Sequence, residues 1–484
     1  MAFRGEEMSQ EKLERGLKSR HLMMIALGGS IGTGLFVASG GAIHEAGPGG
    51  AMLGYGLISI MVFFLMTSLG EMSAYSPTTG TFNEYSSKYI DPAFGFAMGW
   101  NYWFNWAITI AVEVLAAAFI MQFWFPDTNT LIWASGFFIL IFLLNIFTVK
   151  VFGETEYWLS MVKVTFVIIF IIVGILTITG LVAHGHGESI GLKNWTIGDA
   201  PFHGGFITFM GVFLIAGFSF QGTELIGVAA GEAKNPKTAI PKAIKNTFWR
   251  IVIFYILAIG VISFLIPYND PNLVNPNADI TLSPFTIIFK QAGFTFAASV
   301  MNAVILTAVL SACNASMYSA TRTLWYMGKT CHASPIFAKL TRNGIPYIAL
   351  IATSLVGSTF LLTSKFQNGV IFMWLVNISS LAGFIAWFGI ALSHFRFRRA
   401  FIKQGNDINK LPYKSKFFPI APILAMFFIL IIIFGQELND IITGNITFLH
   451  FLTTYIGLIL FLILFSLYKI IKKTKLVPLN KCQF

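Results

Sequence analysis

Charge is scarce in this chain. Of its 484 residues only 11% are Asp, Glu, Lys or Arg, 56% are hydrophobic, and mean hydropathy is +0.73. That balance excludes a soluble domain of this size and points to a polytopic membrane protein. Cysteine is scarce as well. Three residues, with Cys313 inside an apolar run and Cys331 and Cys482 in polar segments, do not make a disulfide framework. No H-E-x-x-H or Walker sequence occurs, which argues against a zinc-dependent intramembrane enzyme and against a nucleotide-driven pump. Ten-residue alternations of the kind that build membrane β-barrels are missing too. Connections between apolar runs are short, which leaves no room for a separate soluble domain. The opening "MAFRGEEMSQEKLERGLKSR" is too charged for a signal peptide.

What is present is a series of apolar runs of about 18–25 residues, each long enough to cross a hydrocarbon core of roughly 30 Å. Twelve such runs centre near residues 32, 62, 108, 140, 170, 217, 256, 308, 354, 382, 427 and 460, and predict an all-α membrane protein within a lipid bilayer. Charge placement orients them. With the N-terminus in the cytoplasm, cytoplasmic segments hold 28 of the 32 Lys and Arg residues. The opposite loops hold only Lys193 and Lys365, and Lys163 and Lys290 lie within or at the edge of spans. This is the positive-inside asymmetry, and it predicts both ends in the cytoplasm of a cell (inner) membrane protein. Topology thus accounts for the net charge of +11, with no need of nucleic acid.

Two runs are built to come undone. In "GGSIGTGLF", residues 28–36, glycines 28, 29, 32 and 34 each weaken a helix by roughly 1 kcal/mol relative to alanine. Gly28 and Gly32 are also spaced as a close-packing small-xxx-small pair, so packing and a true break are both open readings of this stretch. The sixth run, "FMGVFLIAGFSFQGTELIGVAAGE", carries Gly217, Gly222 and Gly227 around a polar core and tips the balance toward breaks. Both interrupted runs open a five-run unit. Gly-interrupted spans at matching places in two halves mark an inverted-repeat transporter with a midplane site. Free N–H groups at such a break suit a carboxylate and free carbonyls suit an ammonium group, so an α-amino acid is the ligand this chemistry fits.

Several long stretches in order carry a family resemblance: "RGLKSRHLMMIALGGSIGTGLF", "EAGPGGAMLGYGL", "GEMSAYSPTTGTFNEYSSKYIDPAFGFAMGWNYWFNW", "FSFQGTELIGVAAGEAKNPKTAIPKAIK" and "FRFRRAFIKQGNDINKLPYKS". From about residue 12 to residue 470 the chain resembles amino acid permeases of the amino acid–polyamine–organocation superfamily. Through "SFQGTELIG", "LIPYNDPNL", "ADITLSPFT" and "MNAVILTAVLSACNASMYSATR" it is most similar to bacterial lysine-specific members. The resemblance implies twelve transmembrane helices in a five-plus-five inverted repeat (LeuT-like) with two additional C-terminal helices. Residues 1–20 form the cytoplasmic N-terminus, 21–184 the first repeat, 205–395 the second, 419–470 the two extra helices and 471–484 the cytoplasmic C-terminus. It implies proton-driven symport of an amino acid, with no cofactor beyond the proton gradient. Carried onto this sequence, Ser30, Ile31, Gly32, Thr33 and Gly34 receive the substrate carboxylate through backbone amides and the Thr33 hydroxyl. The backbone at Phe218, Ser219 and Phe220 holds the α-ammonium group, and Phe218 is the gate.

Ionisable residues inside spans cost about 2.5–3.5 kcal/mol each on insertion scales and are functional candidates by default. Lys163, in "YWLSMVKVTFVIIF", either snorkels to the cytoplasmic edge or works as the proton-coupling group; relatives without sodium coupling, as the resemblance implies, carry a lysine there. Glu224, beside the second break, is the natural partner for a basic side chain. Glu232, about 12 Å further on if the segment is helical, is a second candidate or a cap on the local positive loop. Tyr102, Trp106 and Glu113 share a face of the third run, which either lines the substrate path or is ordinary packing. Glu71 and Arg322 read as cytoplasmic-side structure, and Asn302 and Ser311 as undiagnostic. Asp279 is an entrance acid or a solvated loop residue. His184, His186 and Glu188 are a polar helix exit more readily than a metal site.

The expectation is a secondary transporter importing a basic amino acid, foremost L-lysine. Other amino acids (arginine, histidine, aromatic, GABA) and a non-transporting amino acid sensor are the alternatives. Nothing in the sequence names a regulatory partner or a metal.

Overall fold

Where the sequence offers capping chemistry, helices begin there. Asp91 accepts a 2.8 Å bond from the Ala93 amide and Pro92 opens the helix that follows, while Asn129 caps another through Leu131 at 2.9 Å. The computed structural model describes residues 18–146, 149–181, 192–271, 273, 283–291, 295–364, 368–436, 441, 444 and 447–484, and among these it is helical with no strand. Asp279, His184, His186 and Glu188, singled out in the sequence, lie outside the described residues.

The helices are α1 (Ser19–Ser30), α2 (Ser39–Tyr75), α3 (Thr81–Tyr89), α4 (Pro92–Met121), α5 (Thr130–Leu144), α6 (Val149–Ile178) and α7 (Gly205–Phe220). Then follow α8 (Leu225–Ala229), α9 (Pro236–Leu265), α10 (Pro284–Gln291), α11 (Thr295–Lys329), α12 (Tyr347–Gly357), α13 (Asn368–Lys403), α14 (Ile420–Gly435) and α15 (Phe448–Lys472). A five-residue π-helical turn, Gly34–Ala38, joins α1 to α2.

Eight described segments are long and apolar enough to cross a membrane, and three shorter apolar helices (Thr130–Leu144, Val252–Leu265, Ile420–Gly435) accompany them. The chain is thus a multi-pass membrane protein. Every apolar run read from the sequence has its centre in or beside one of these helices. The first segment, Arg20–Tyr75, has 56 residues, about 84 Å of helix and far more than one bilayer. It is not continuous. Besides the break after Ser30, α2 turns at Gly47 (φ +74°) and Pro48. The backbone groups freed there are met by the 199–204 loop: the Gly49 amide donates to the Pro201 carbonyl at 2.9 Å, and the His203 amide to the Ala46 carbonyl at 3.0 Å.

Burial orders the bundle. In α4 94% of the apolar window is buried and in the segment Thr208–Glu232 all of it, against 22% in α15, so α4 and α7–α8 are central and α15 peripheral. The central α4 packs on α11, α13, α3 and α15, and α2 packs on α7 and α9. At one end Arg20 meets Glu154 at 2.5 Å, joining the starts of α1 and α6, and Lys469 meets Asp91 at 2.5 Å, joining the end of α15 to the start of α4. Outside the spans, burial opposes ionisation of Asp91, but hydrogen bonds from Lys469, Thr474 and the Ala93 amide prevail and hold its carboxyl below the usual range.

Candidate functional site

Both interrupted runs are broken in the structure, and the breaks touch. α1 ends at Ser30, Ile31 is extended (φ −85°, ψ 90°), and the chain resumes at Thr33–Gly34. α7 ends at Phe220, and a turn over Gln221–Glu224 leads into α8. Gly222, at φ +98°, lies against the Gly29 carbonyl so closely that a Cβ has no room there. Gly34 lies against the Ser219 backbone, where a Cβ would also come within 2.8 Å of the Ser219 hydroxyl. Glycine is what lets the two irregular segments meet.

A break strands backbone carbonyls, and in a membrane core each needs a partner. The Gly28 carbonyl, which has lost its helical N–H, accepts from Lys163 Nζ at 2.5 Å. The Tyr255 hydroxyl of α9 lies 2.6 Å from both the Ser30 and the Ser219 carbonyls, so its single proton is shared between the two breaks. The Tyr255 ring stacks on Phe220 (centroids 4.4 Å apart). Ser219 Oγ donates to the Ile215 carbonyl and meets the Tyr55 hydroxyl, both at 2.9 Å. Gln221 reaches across to α13 through the Ser379 carbonyl (3.1 Å) and receives Asn105 Nδ2 of α4 (3.3 Å).

Between the breaks lies a narrow cavity of about 10 Å³, room for roughly one water and too small for an amino acid in this closed arrangement. Ser30, Gly32, Gly34, Phe218, Gln221, Trp106, Thr109, Glu113 and Ser316 are among its walls. Glu113 is its acid: 4% exposed, it accepts a 2.7 Å bond from Thr33 Oγ1 and lies beside Gly32.

The structure therefore gathers Ser30, Ile31, Gly32, Thr33, Gly34, Phe218, Ser219 and Phe220 at the paired breaks, with Trp106 and Glu113 facing them. It places three other sequence candidates elsewhere. Tyr102 lies one turn away from Trp106 on α4 and lines a separate small cavity with Phe82, Gly80 and Tyr326. Glu224 turns its carboxylate back on its own loop: Oε2 accepts from the Gly222 amide and from Trp387 Nε1, each at 3.2 Å. Glu232, fully buried, pairs with Arg322 at 3.0 Å, and the Arg322 guanidinium lies 4.8 Å from the Tyr318 ring centre. Lys163 does not snorkel. It sits 14 residues into α6, about 21 Å along the helix, with no exposed surface. Glu71 is bound by Arg398, by the Ser415 amide (2.7 Å) and by His394 (3.3 Å), the structural role its position suggested.

Tyr255, Gln221, Trp387 and Glu156 take part at or beside the breaks without having been expected from the sequence. Tyr255 and Glu156 had a signal, a polar or ionisable group set in or beside an apolar run. Gln221 and Trp387 had none, because their partners are supplied by other helices.

Comparison with known proteins agrees with this geometry. The amino acid permease family model matches residues 21–481. The lysine-specific permease LysP of Escherichia coli (strain K12) is 54% identical over 473 residues, 98% of this chain and 96% of that protein. LysP of Lactococcus lactis subsp. cremoris is 51% identical over 98% of this chain and 93% of its own length. The histidine permease HisP of the same organism is 48% identical over 98% of both. With paired broken helices in a multi-pass bundle and a match along nearly its whole length, this chain is a transporter rather than an enzyme, and it belongs to the amino acid permease family.

Proposed function

We propose that this permease imports a basic amino acid, L-lysine foremost, by proton symport across the cytoplasmic (inner) membrane, with both chain ends in the cytoplasm. The observation that carries the reading is the pair of touching breaks with a buried lysine on one stranded carbonyl and an acid facing the gap. Relatives named lysine-specific permeases at 54% and 51% identity support lysine. The 48% identity to a histidine permease makes histidine the second choice. Charge asymmetry supports the orientation. The 56-residue first segment, read as two crossings, with the other long segments and the three shorter apolar helices supports twelve spans. Matching breaks in α1 and α7–α8 support a five-plus-five repeat, residues 21–184 and 205–395, with α14 and α15 as the two extra helices.

In this reading the substrate carboxylate takes backbone amides of the first break around Gly32–Gly34, beyond the Ile31 amide that closes α1 on the Leu27 carbonyl, and its α-ammonium takes the carbonyls near Phe218–Phe220. Phe218 closes the cavity. Glu113, rather than Glu224 or Glu232, faces the basic side chain, because its carboxylate lines the gap while theirs are engaged elsewhere. Lys163 is the coupling group. Protonated, its ammonium pins the Gly28 carbonyl and ties α1 to α6; deprotonated, it weakens that tie and frees the first break to move.

Uptake of labelled lysine into proteoliposomes, with an imposed inward proton gradient and all twenty amino acids as competitors, tests the whole reading. Accumulation above the outside concentration, abolished by a protonophore and inhibited best by basic amino acids, is the expected result. Stronger inhibition by aromatic or aliphatic amino acids refutes lysine. Binding without accumulation means a sensor.

A further inference from the structure

One face of α6 is polar where it meets α1. Glu156, Ser160 and Lys163 stand at offsets of four and seven, on the same side of the helix, and all three are fully buried. Ser160 Oγ donates to the Met24 carbonyl at 2.9 Å and Lys163 Nζ to the Gly28 carbonyl at 2.5 Å. Glu156 Oε1 lies where a Cβ on Gly28 would stand. Lys163 and Glu156 thus converge on a single residue of α1, and the dimensions of one residue put their charged ends within roughly 8 Å. They form no direct ion pair. Side chains on a helix lean toward its N-terminus, so Lys163 points back along α6 toward Glu156. Ser311 of α11 donates to Glu156 Oε1 at 2.5 Å, while Oε2 has no hydrogen bond among the described residues. The charged or titratable groups facing this pair are each other and Glu113 of α4, whose charge acts on Lys163.

A buried carboxylate with one oxygen satisfied and the other open is costly unless it has work. We propose that Glu156 is the proton relay of the coupling site, accepting the proton that Lys163 releases and passing it toward the membrane face where α6 begins. The step balances. The N–H bond of the ammonium breaks, directly or through one intervening water, and an O–H bond forms at Glu156 Oε2. The ammonium becomes an amine and the carboxylate a carboxylic acid. The pair is neutral before and after, so Lys163 gives up its charge without leaving a lone carboxylate in the core. Glu156 then loses the proton to water at the face where Arg20 and Glu154 meet, and the Lys163 amine takes up the next proton from the opposite side, which restores the ammonium–carboxylate pair. Seven residues nearer the helix start than Lys163, it stands about 10 Å closer to that face.

This rests on the proton-symport reading, and the experiment separates the two. Proteoliposomes carrying wild type, Glu156→Gln or Ser311→Ala are assayed for lysine accumulation under an imposed proton gradient, for exchange of internal against external lysine, and for the pH profile of uptake. Glutamine keeps the shape and cannot take the proton. Accumulation by Glu156→Gln is expected to fall about tenfold or more beyond any fall in exchange. Ser311→Ala, which removes one hydrogen bond and little volume, is expected to displace the pH profile by about half a unit or more. A Glu156→Gln permease that accumulates lysine with the wild-type pH profile overturns the relay. So does equal loss of accumulation and exchange in Glu156→Gln together with an unmoved profile in Ser311→Ala, since that pattern marks a structural prop. A wild type indifferent to the gradient overturns symport and the relay together.

Discussion

Glu113 and Glu224 are both buried acids beside a break, 4% and 2% exposed, and composition alone cannot rank them. Their surroundings can. Glu113 lines the gap between the breaks, with Thr33 Oγ1 as its donor, whereas Glu224 Oε2 holds the Gly222 amide and the Trp387 indole within its own turn. Replacing each by glutamine removes a charge and keeps the shape. A charge-assisted hydrogen bond to a substrate ammonium contributes about 1.5–3 kcal/mol, roughly ten- to hundredfold in affinity. Glu113→Gln is therefore expected to weaken lysine by that factor while leaving norleucine, which lacks the side-chain ammonium, within about twofold. Glu224→Gln loses charge-assisted bonds that shape the turn, worth about 1–2 kcal/mol to the fold, so lysine and norleucine should weaken alike and the melting temperature should fall. Scintillation proximity binding of labelled lysine to detergent-purified variants, with norleucine as competitor, reads both. A selective lysine loss in Glu224→Gln with equal losses in Glu113→Gln would refute the assignment.

Three other outcomes follow from the same geometry. Gly222→Ala puts a Cβ at φ +98° into the Gly29 carbonyl, so binding should be lost while a membrane-inserted protein is still made; wild-type affinity would mean the breaks need not touch. Lys163→Ala should abolish accumulation against a gradient and reduce exchange far less, since exchange moves no net proton; accumulation under an inward proton gradient would end its coupling role. Tyr255→Phe removes the one hydroxyl proton shared by the Ser30 and Ser219 carbonyls, leaving a buried acceptor unpaired at a cost of about 1–3 kcal/mol; a thermal-shift scan that finds no loss of stability would show that the two carbonyls find other partners.

Much of the molecule was legible in its order of residues, because the bilayer imposes rules that act on short stretches. An apolar run of bilayer length must be helical, since no water is there to satisfy its backbone. Glycine clusters in two such runs named the breaks at Ile31–Thr33 and Gln221–Glu224, since backbone freedom is a property of the residue itself. Lys163 was legible for the same reason: a charge in an apolar helix needs a partner wherever the helix packs.

Which partner it finds is another matter. That Lys163 meets the Gly28 carbonyl, that Glu113 faces the gap while Glu224 turns away, and that Tyr102 lies in a different cavity from Trp106 four residues on, were all decided by packing. Each depends on how helices far apart in sequence cross. Tyr255 is 225 residues from Ser30 and 36 from Ser219, yet one hydroxyl serves both. Local periodicity sets which face of a helix a residue occupies, and it holds no information on which helix will stand opposite. Residue order alone dictates that the core is broken in two places and holds stranded polar groups. How those groups pair is set by helix packing, because a hydrogen bond between helices exists only once both ends are fixed in space.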